Sequence, residues 1–211
     1  MFFRFFDFEP ISCGISQNII ICNFVIKKIK NIIIIMTKKN LTENLKHLIK
    51  DYINFPKRGI IFKDILPLLQ QPDVFSKVIE EMSKSSIFKN ADAIISIDAR
   101  GFIFGTAISF HLSKPMVVAR KPGKLPGKLI NRSYDLEYGS NSLAIQREAI
   151  KPYKSFAIVD DLLATGGTVK CVAEMLNDSG KEISGLSVVI ELRELCGRDK
   201  FNFPVESNIL L

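Results

Sequence analysis

Residues 157–168 read AIVDDLLATGGT, and this segment carries the most information in the sequence. The apolar run has the length of a strand, and it ends in two adjacent carboxylates, Asp160 and Asp161. A turn of small residues follows and opens a helix that the apolar spacing predicts over residues 167–176. The segment therefore predicts a strand, a tight turn and a helix in immediate succession.

Apolar segments on either side continue this alternation of strand and helix. We predict strands at 93–97, 116–119, 143–146, 156–159 and 186–192, helices at 42–53, 73–82 and 102–112, and a long Gly- and Pro-containing loop at 121–139. The pattern indicates an α/β fold whose mainly parallel sheet is flanked by helices. Ligands of such sheets bind beyond the carboxyl ends of the strands, which here follow Ile97, Ala119 and Val159.

The turn after the acid pair has the composition of a phosphate cradle. Glycines at 166 and 167 let backbone N–H groups approach a ligand, and the helix N-terminus favours negative charge. The two carboxylates would repel a phosphate, so vicinal sugar hydroxyls are their natural partners. This predicts a ribose 5-phosphate site of Asp160, Asp161, Ala164, Thr165, Gly166, Gly167 and Thr168. The alternative is a capped helix after a strand, with the two acids as cap residues.

Charge and cysteine content set limits on function. The chain has 211 residues and a net charge of +7, which is compatible with a nucleic acid, an anionic membrane or a small polyanionic substrate. The four cysteines, at 13, 22, 171 and 196, show no C-x-x-C spacing, so neither a zinc site nor a redox motif is indicated. So few cysteines predict free thiols in a reducing compartment, and we expect a cytoplasmic protein.

Five segments together resemble a known family. Residues 157–168 are similar to the phosphoribosyl pyrophosphate motif of the type I phosphoribosyltransferases. Four more resemble the adenine-specific members, namely FPKRGIIFKDI at 55–65, SIDARGF at 96–102, RKPGKLPG at 120–127 and SYDLEYG at 133–139. The resemblance covers residues 41–198. The sequence departs from the family pattern at Lys63, where arginine is expected, and at Lys57-Arg58, where a proline is usual before Gly59.

The resemblance implies a fold, a reaction and a set of roles. It implies the type I fold with a small N-terminal hood over the base site and a flexible loop. The implied reaction converts adenine and phosphoribosyl pyrophosphate to AMP and diphosphate, with Mg²⁺ held mainly by the substrate and no protein-built metal site. It implies a homodimer with no nucleic-acid or membrane partner. The implied site comprises Glu137 and Arg100 as catalytic residues, Asp98, Ala99, Arg100, Arg120, Lys121 and Lys124 on diphosphate, and Ile61 and Phe62 on adenine.

Two other functions stay open at this level. One is a phosphoribosyltransferase acting on a 6-oxo purine, although the N-terminal position of the hood favours adenine. The other is a phosphoribosyl-pyrophosphate-sensing regulator of RNA or DNA, which the positive charge keeps open. No separate helix-turn-helix segment is visible after the first 36 residues, and a sensor would need neither the intact flexible loop at 120–127 nor Glu137.

Residues 1–36 differ in composition from the remainder. They contain a phenylalanine-rich start and an isoleucine-rich run that lysines and asparagines interrupt. A membrane span needs about 20 mostly apolar residues, and no uninterrupted stretch here approaches that length. Asp7 and Glu9 also fit neither a secretory signal nor a transit peptide. We therefore expect a leader over 1–36, disordered or absent from the native protein with Met36 as the start, and a phosphoribosyltransferase domain over 37–211.

Overall fold

The computed structural model describes residues 27, 28, 40–136 and 139–211. In chain order the elements are α1 (40–48), β1 (Lys50–Ile53), β2 (Ile61–Asp64), α2 (Pro72–Ser83), α3 (Ser86–Lys89), β3 (Ala93–Ile97), α4 (Gly101–Leu112), β4 (Met116–Ala119), β5 (Leu129–Leu136), β6 (Gly139–Gln146), α5 (Arg147–Ile150), β7 (Ser155–Leu163), α6 (Gly167–Asp178), β8 (Glu182–Glu191) and β9 (Val205–Leu210). Short 3-10 turns occupy Leu66–Gln70, Arg193–Leu195 and Gly197–Lys200.

The apolar strands form one parallel sheet of five, in the order β4-β3-β7-β8-β9. All five residues of β3 are buried, because successive side chains enter the packed layers on opposite faces of the sheet. Helix α6 packs on β8 and β5, whereas α4 packs on β3 and β7. Phe75 of α2 meets Phe104 of α4 with ring centroids 5.8 Å apart, which joins these two helices into one layer. The predicted α/β fold with a parallel sheet is confirmed.

Two antiparallel hairpins accompany the central sheet. The pair β1–β2 carries Phe62, and it corresponds to the predicted N-terminal hood. The pair β5–β6 is connected to the edge of the sheet by the two backbone hydrogen bonds between Arg120 and Ala144, 2.9 and 2.7 Å long. Its β5 strand packs against α6, where Arg132 forms ion pairs with Glu174, at 2.8 Å, and with Asp178. Phe62 of the first hairpin and Tyr134 and Asn141 of the second line one common cleft.

Two element predictions are wrong, and one strand of the central sheet was missed. The helix predicted over 42–53 ends at residue 48, and residues 50–53 form β1, where Tyr52 and Ile53 are exposed. The loop predicted over 121–139 contains β5 instead, because pairing with β6 supplies a partner strand that composition does not reveal. The strand β9 was not predicted, since it carries the polar stretch Glu206-Ser207-Asn208 within the sheet.

Some expectations fall on parts of the chain that lie outside the described residues. The leader predicted over 1–36 does so, apart from residues 27 and 28, and so does Glu137. Residues 42–211 form one compact unit. Across the described part of the chain, no helix is both long and apolar enough to cross a bilayer.

Candidate active site

A cleft of about 480 Å³ opens at the carboxyl ends of β3 and β7, neighbouring strands at the centre of the sheet. Its walls come from the loop after β3, from the end of β7 and the start of α6, and from both hairpins. The lining residues that the sequence predicted are Phe62, Asp98, Ala99, Arg100, Lys121, Asp160, Asp161, Ala164, Thr165, Gly166, Gly167 and Thr168. Segments separated by about a hundred residues thus meet at one edge of the sheet, as the parallel topology requires.

The acid pair forms the floor of the cleft at the end of β7. The backbone N–H of Asp161 donates a 2.9 Å hydrogen bond to Oδ1 of Asp160. Helix α4 begins against this carboxylate, since a Cβ built on Gly101 would come within 2.7 Å of the same Oδ1 atom. Only glycine leaves the carboxylate of Asp160 this much room.

Burial raises the pKa of both acids. For Asp160 burial is the largest cause and the charge of Asp161 is the next, and together they hold its pKa well above the ordinary value. Burial also raises the pKa of Asp161, although the nearby guanidinium of Arg100 opposes that rise. Hydroxyl donors from a ligand would favour the ionised form of both groups. The floor therefore suits a ligand that brings several hydrogen-bond donors.

Arg100 stands over this floor and joins it to the hood. Its Nε lies 2.8 Å from Oδ2 of Asp161, and its guanidinium carbon lies 4.8 Å from the centroid of the Phe62 ring. Phe55 supports the same ring edge-on, with centroids 5.2 Å apart. Nη1 of Arg100 is buried and finds no hydrogen-bond partner among the described residues. A buried donor without a partner, facing a cleft, suits an anionic ligand.

The cradle has the backbone geometry that its sequence predicted. Gly166 adopts φ 79° and ψ 2°, a left-handed conformation that glycine enters at little cost, and α6 begins at the next residue. No side chain caps the helix, so its first N–H groups stay available to a ligand. Helix α4 likewise begins at the cleft without a side-chain cap. The N-termini of α4 and α6, which follow the neighbouring strands β3 and β7, therefore both direct positive potential into the cleft.

Three predicted site residues do not line the cleft. Arg120 pairs with Asp98, with Nε 3.1 Å from Oδ2, and stacks over Phe102. Lys124 and Ile61 also lie outside the lining, and the Ile61 side chain is exposed. Of the three cations of this loop that were predicted to bind diphosphate, Lys121 lines the cleft, whereas Arg120 and Lys124 lie outside its lining.

Other lining residues were not predicted as site residues. Tyr134 and Asn141 face each other across the β5–β6 register and both line the cleft, as do Leu162, Leu163 and Val169. Tyr134 belongs to the SYDLEYG signature, so that motif could have suggested it. No local signal marks Asn141, which reaches the cleft only through the hairpin.

Metal-binding capacity in the described residues is limited. They contain no group of three or more His, Cys, Asp or Glu side chains that could hold an ion. The cleft does offer hard carboxylate oxygens, from Asp98, Asp160 and Asp161. Such oxygens suit Mg²⁺ when the remaining coordination positions are filled by water and by substrate phosphates.

Comparison with known proteins gives consistent results. A family model described as the phosphoribosyl transferase domain matches residues 68–204. The adenine phosphoribosyltransferase of Prochlorococcus marinus strain MIT 9312 is 60% identical over 168 residues, which cover 80% of this chain and 99% of that protein. The enzyme of the same name from Mycoplasmopsis agalactiae is 49% identical over 159 residues, or 75% of this chain and 92% of the relative.

Solved structures agree with these sequence matches. The adenine phosphoribosyltransferase of Rhodothermus marinus superposes with a TM-score of 0.77 at 35% identity, covering 82% of this chain and 99% of that one. The Saccharomyces cerevisiae enzyme, solved with an imino-altritol bisphosphate and adenine, gives 0.71 at 34% identity, with 81% and 99% covered.

Proposed function

Because the chain belongs to the adenine phosphoribosyltransferases, within the phosphoribosyl transferase domain family, we propose that it transfers the phosphoribosyl group of phosphoribosyl pyrophosphate to adenine. The products are AMP and diphosphate, which makes the chain a glycosyltransferase of purine salvage. The observation that carries this proposal is one cleft in which an acid pair lies beside a helix N-terminus, under the partly buried Arg100. A sugar, its phosphate and a second anion each find complementary groups there.

The sugar phosphate is assigned to the end of β7 and the start of α6. Asp160 and Asp161 accept hydrogen bonds from the ribose hydroxyls, and backbone N–H groups of residues 164–168 hold the 5′-phosphate. Holding the sugar at two ends fixes C1 relative to its attacker, which is the positional part of catalysis. The carboxylates also favour the positive charge that develops on the ring as the bond to diphosphate breaks.

The diphosphate is assigned to the loop after β3. Arg100 supplies a buried N–H donor that lacks a partner among the described residues, and Lys121 adds a second cation in the cleft. Asp98 and Ala99 place their backbone beside the start of α4. Asp160 and Asp161 would lie beside a Mg²⁺ ion carried by the substrate, and such an ion would neutralise charge on the leaving diphosphate. Arg120 and Lys124 join this set if the loop after β4 closes over the ligand.

The base is assigned to the hood. The half-buried ring of Phe62 provides a stacking surface, and the backbone of Ile61 reads the amidine edge of adenine. Glu137 is proposed to face N7 and to support proton movement as N9 attacks C1. Tyr134 and Asn141, which line the cleft, flank the segment that contains Glu137, and this supports its assignment.

A homodimer is proposed from apolar side chains that lie on the surface. Tyr52, Ile53, Phe55 and Ile61 of the β1–β2 hairpin are all at least half exposed, and Phe110 of α4 is 88% exposed. Ile53 and Ile61 are direct cross-strand partners in this hairpin, and neighbouring exposed apolar side chains are typical of protein interfaces. A second copy of the chain covers them in this proposal, and size-exclusion chromatography with light scattering tests it.

The domain and compartment assignments are retained as proposals. Residues 37–211 form the catalytic domain, and a chain that starts at Met36 is expected to retain full activity. A cytoplasmic location is supported by Cys171 and Cys196, which are both free thiols, the second of them exposed.

The proposed reaction is tested by assaying nucleotide formation from phosphoribosyl pyrophosphate with adenine, hypoxanthine or guanine as the acceptor. Formation of AMP alone supports the proposal. A chain that binds phosphoribosyl pyrophosphate but forms no nucleotide is a sensor and not a transferase.

A further inference from the structure

A second segment lies directly behind the phosphate cradle. The turn at Cys196–Phe201 packs against residues 164–166, and none of its residues lines the cleft. A Cβ built on Gly197 would overlap the carbonyl oxygen of Ala164 and lie 3.2 Å from the amide nitrogen of Gly166. In the other direction, a Cβ built on Gly166 would lie 2.8 Å from the Gly197 oxygen and 3.0 Å from the Phe201 ring. The two backbones are in contact with no side chain between them.

This backing turn is fastened to the sheet by one ion pair. Arg198 follows Gly197 and places Nε and Nη2 each 2.5 Å from the two carboxylate oxygens of Glu191. Glu191 is 2% exposed, and it also accepts a 3.0 Å hydrogen bond from Ser207 of β9. The hydrogen bonds from Arg198 lower the pKa of Glu191, so the acid stays ionised. A two-point charged contact of this kind fixes orientation as well as distance.

The same acid is linked to the strand that leads into the cradle. Glu191 pairs with Leu163, the last residue of β7, across the parallel register. The N–H of Leu192 donates a 2.9 Å hydrogen bond to the Leu163 carbonyl. The cradle therefore continues directly from β7 and packs against the backing turn. Glu191 contacts both supports, because it pairs with β7 and binds Arg198 of the turn. None of these residues lines the substrate cleft except Leu163.

We infer that Glu191 and Arg198 are positioning residues for the 5′-phosphate, acting through Gly197, which they hold against the cradle backbone. They do not touch the substrate. Their effect is to keep the N–H groups of residues 164–168 converging on one point, so that the phosphate meets a preformed cradle. This inference rests on the proposed function and adds to it residues that do not line the substrate cleft.

The sharpest variant is Gly197→Ala. Gly197 has no left-handed φ angle, so alanine is acceptable to the backbone and the methyl group acts only by displacing the cradle. We expect the KM for phosphoribosyl pyrophosphate and the Kd for ribose 5-phosphate to rise by about tenfold or more, the effect of losing one charged hydrogen bond. The KM for adenine is expected to stay within about twofold, because the hood is untouched.

The ion pair is tested by Arg198→Ala, Arg198→Lys and Glu191→Gln. Arg198→Ala is expected to weaken ribose 5-phosphate binding as much as Gly197→Ala does. Arg198→Lys keeps the positive charge but not the two-pronged guanidinium, so it should weaken binding less. Lys200→Ala is the matched control, because it removes an exposed cation from the same turn and should leave both constants unchanged. Circular dichroism and thermal melts confirm that each variant is assayed well below its unfolding temperature.

The outcomes separate the inference from the proposed function. Folded variants that melt earlier but bind ribose 5-phosphate like the wild type would reduce the ion pair to a structural role and overturn the inference alone. If the wild type binds ribose 5-phosphate without forming AMP, the proposed reaction is wrong. The inference is then still tested by comparing the Kd for ribose 5-phosphate between the variants and the wild type. A wild type that binds neither ribose 5-phosphate nor phosphoribosyl pyrophosphate overturns both.

Discussion

The guanidinium of Arg100 lies over the ring of Phe62, with 4.8 Å between the guanidinium carbon and the ring centroid. The cation thereby covers one face of the ring that the proposed function assigns to adenine. Adenine can stack on that face only when Arg100 moves toward another anion, and diphosphate is the anion that the cleft is proposed to hold. The arrangement couples the two substrate sites through one side chain.

We therefore expect adenine to bind more tightly when magnesium diphosphate is present. A cation–π contact is worth about 0.5–2 kcal/mol, so the gain should be about 2- to 30-fold in Kd. Isothermal titration of adenine with and without magnesium diphosphate measures it. Arg100→Ala should bind adenine equally in both conditions, and a wild-type chain that does the same would show that the two sites are not coupled.

The acid pair should be essential for turnover but not for folding. Asp160→Asn combined with Asp161→Asn is expected to lower kcat/KM by at least about 10³-fold, because the ribose loses both charged acceptors. Circular dichroism should show an unchanged fold. Asp73→Asn, at an exposed position early in α2, serves as the control. Near-normal activity in the folded double variant would remove the ribose assignment.

The raised pKa of Asp160 gives a signed prediction for stability. A carboxyl whose pKa is raised on folding contributes stability that is present in acid and is lost as the pH rises through the raised value. Asp160→Asn should therefore melt higher than the wild type at pH 7, by about 2–4 °C for each kcal/mol recovered. The difference should shrink toward pH 4, near the ordinary pKa of aspartate.

Asp92 gives a prediction of opposite sign in the same thermal-unfolding experiments. Its carboxylate accepts hydrogen bonds from the backbone N–H groups of Lys154 and Ser155, at 2.8 and 3.1 Å, and these lower its pKa. Asp92→Asn should therefore melt lower than the wild type at pH 7, with the difference disappearing as the pH falls through the lowered pKa. If the two variants shift in the same direction at pH 7, the electrostatic account of the acid pair is wrong.

Glu137→Ala is expected to slow turnover more than it weakens binding of phosphoribosyl pyrophosphate. A positioned proton-transfer group contributes about 10²–10⁴-fold in rate. Steady-state kinetics separates kcat from KM, and Glu148→Ala, which removes an exposed acid from α5, is the control. Unchanged kcat with a raised KM would make Glu137 a substrate-binding residue and not a catalytic one.

Local patterns predicted four of the five strands of the central sheet, because those four are apolar runs, and missed the more polar β9. The boundaries 93–97 and 116–119 agree with β3 and β4. Strand β7 instead continues to Leu163, so the acid pair lies within the strand and not after it, although both acids line the cleft. The segment 50–53 was misread because its apolar spacing also continues a helix. It becomes a strand only through pairing with β2, which lies beyond a turn.

The parts of the site that escaped prediction depend on long-range pairing. Asn141 reaches the cleft through its register with Tyr134, and the loss of Arg120 from the lining follows from its ion pair with Asp98, 22 residues earlier. The contact of Gly197 with the cradle joins segments that are separated by about thirty residues. Periodicity and motif spacing report local structure and do not encode such contacts.

The most direct test of the central claim is the identity of the nucleotide that the purified chain forms. The chain is incubated with phosphoribosyl pyrophosphate, Mg²⁺ and one base at a time, and nucleotides and diphosphate are quantified by chromatography. We predict AMP and diphosphate in equal amounts from adenine. With hypoxanthine or guanine, the wild type should form no more nucleotide than the double variant of Asp160 and Asp161 forms with adenine. Absence of AMP, or formation of IMP or GMP at a comparable rate, would contradict the assignment of this chain as an adenine phosphoribosyltransferase.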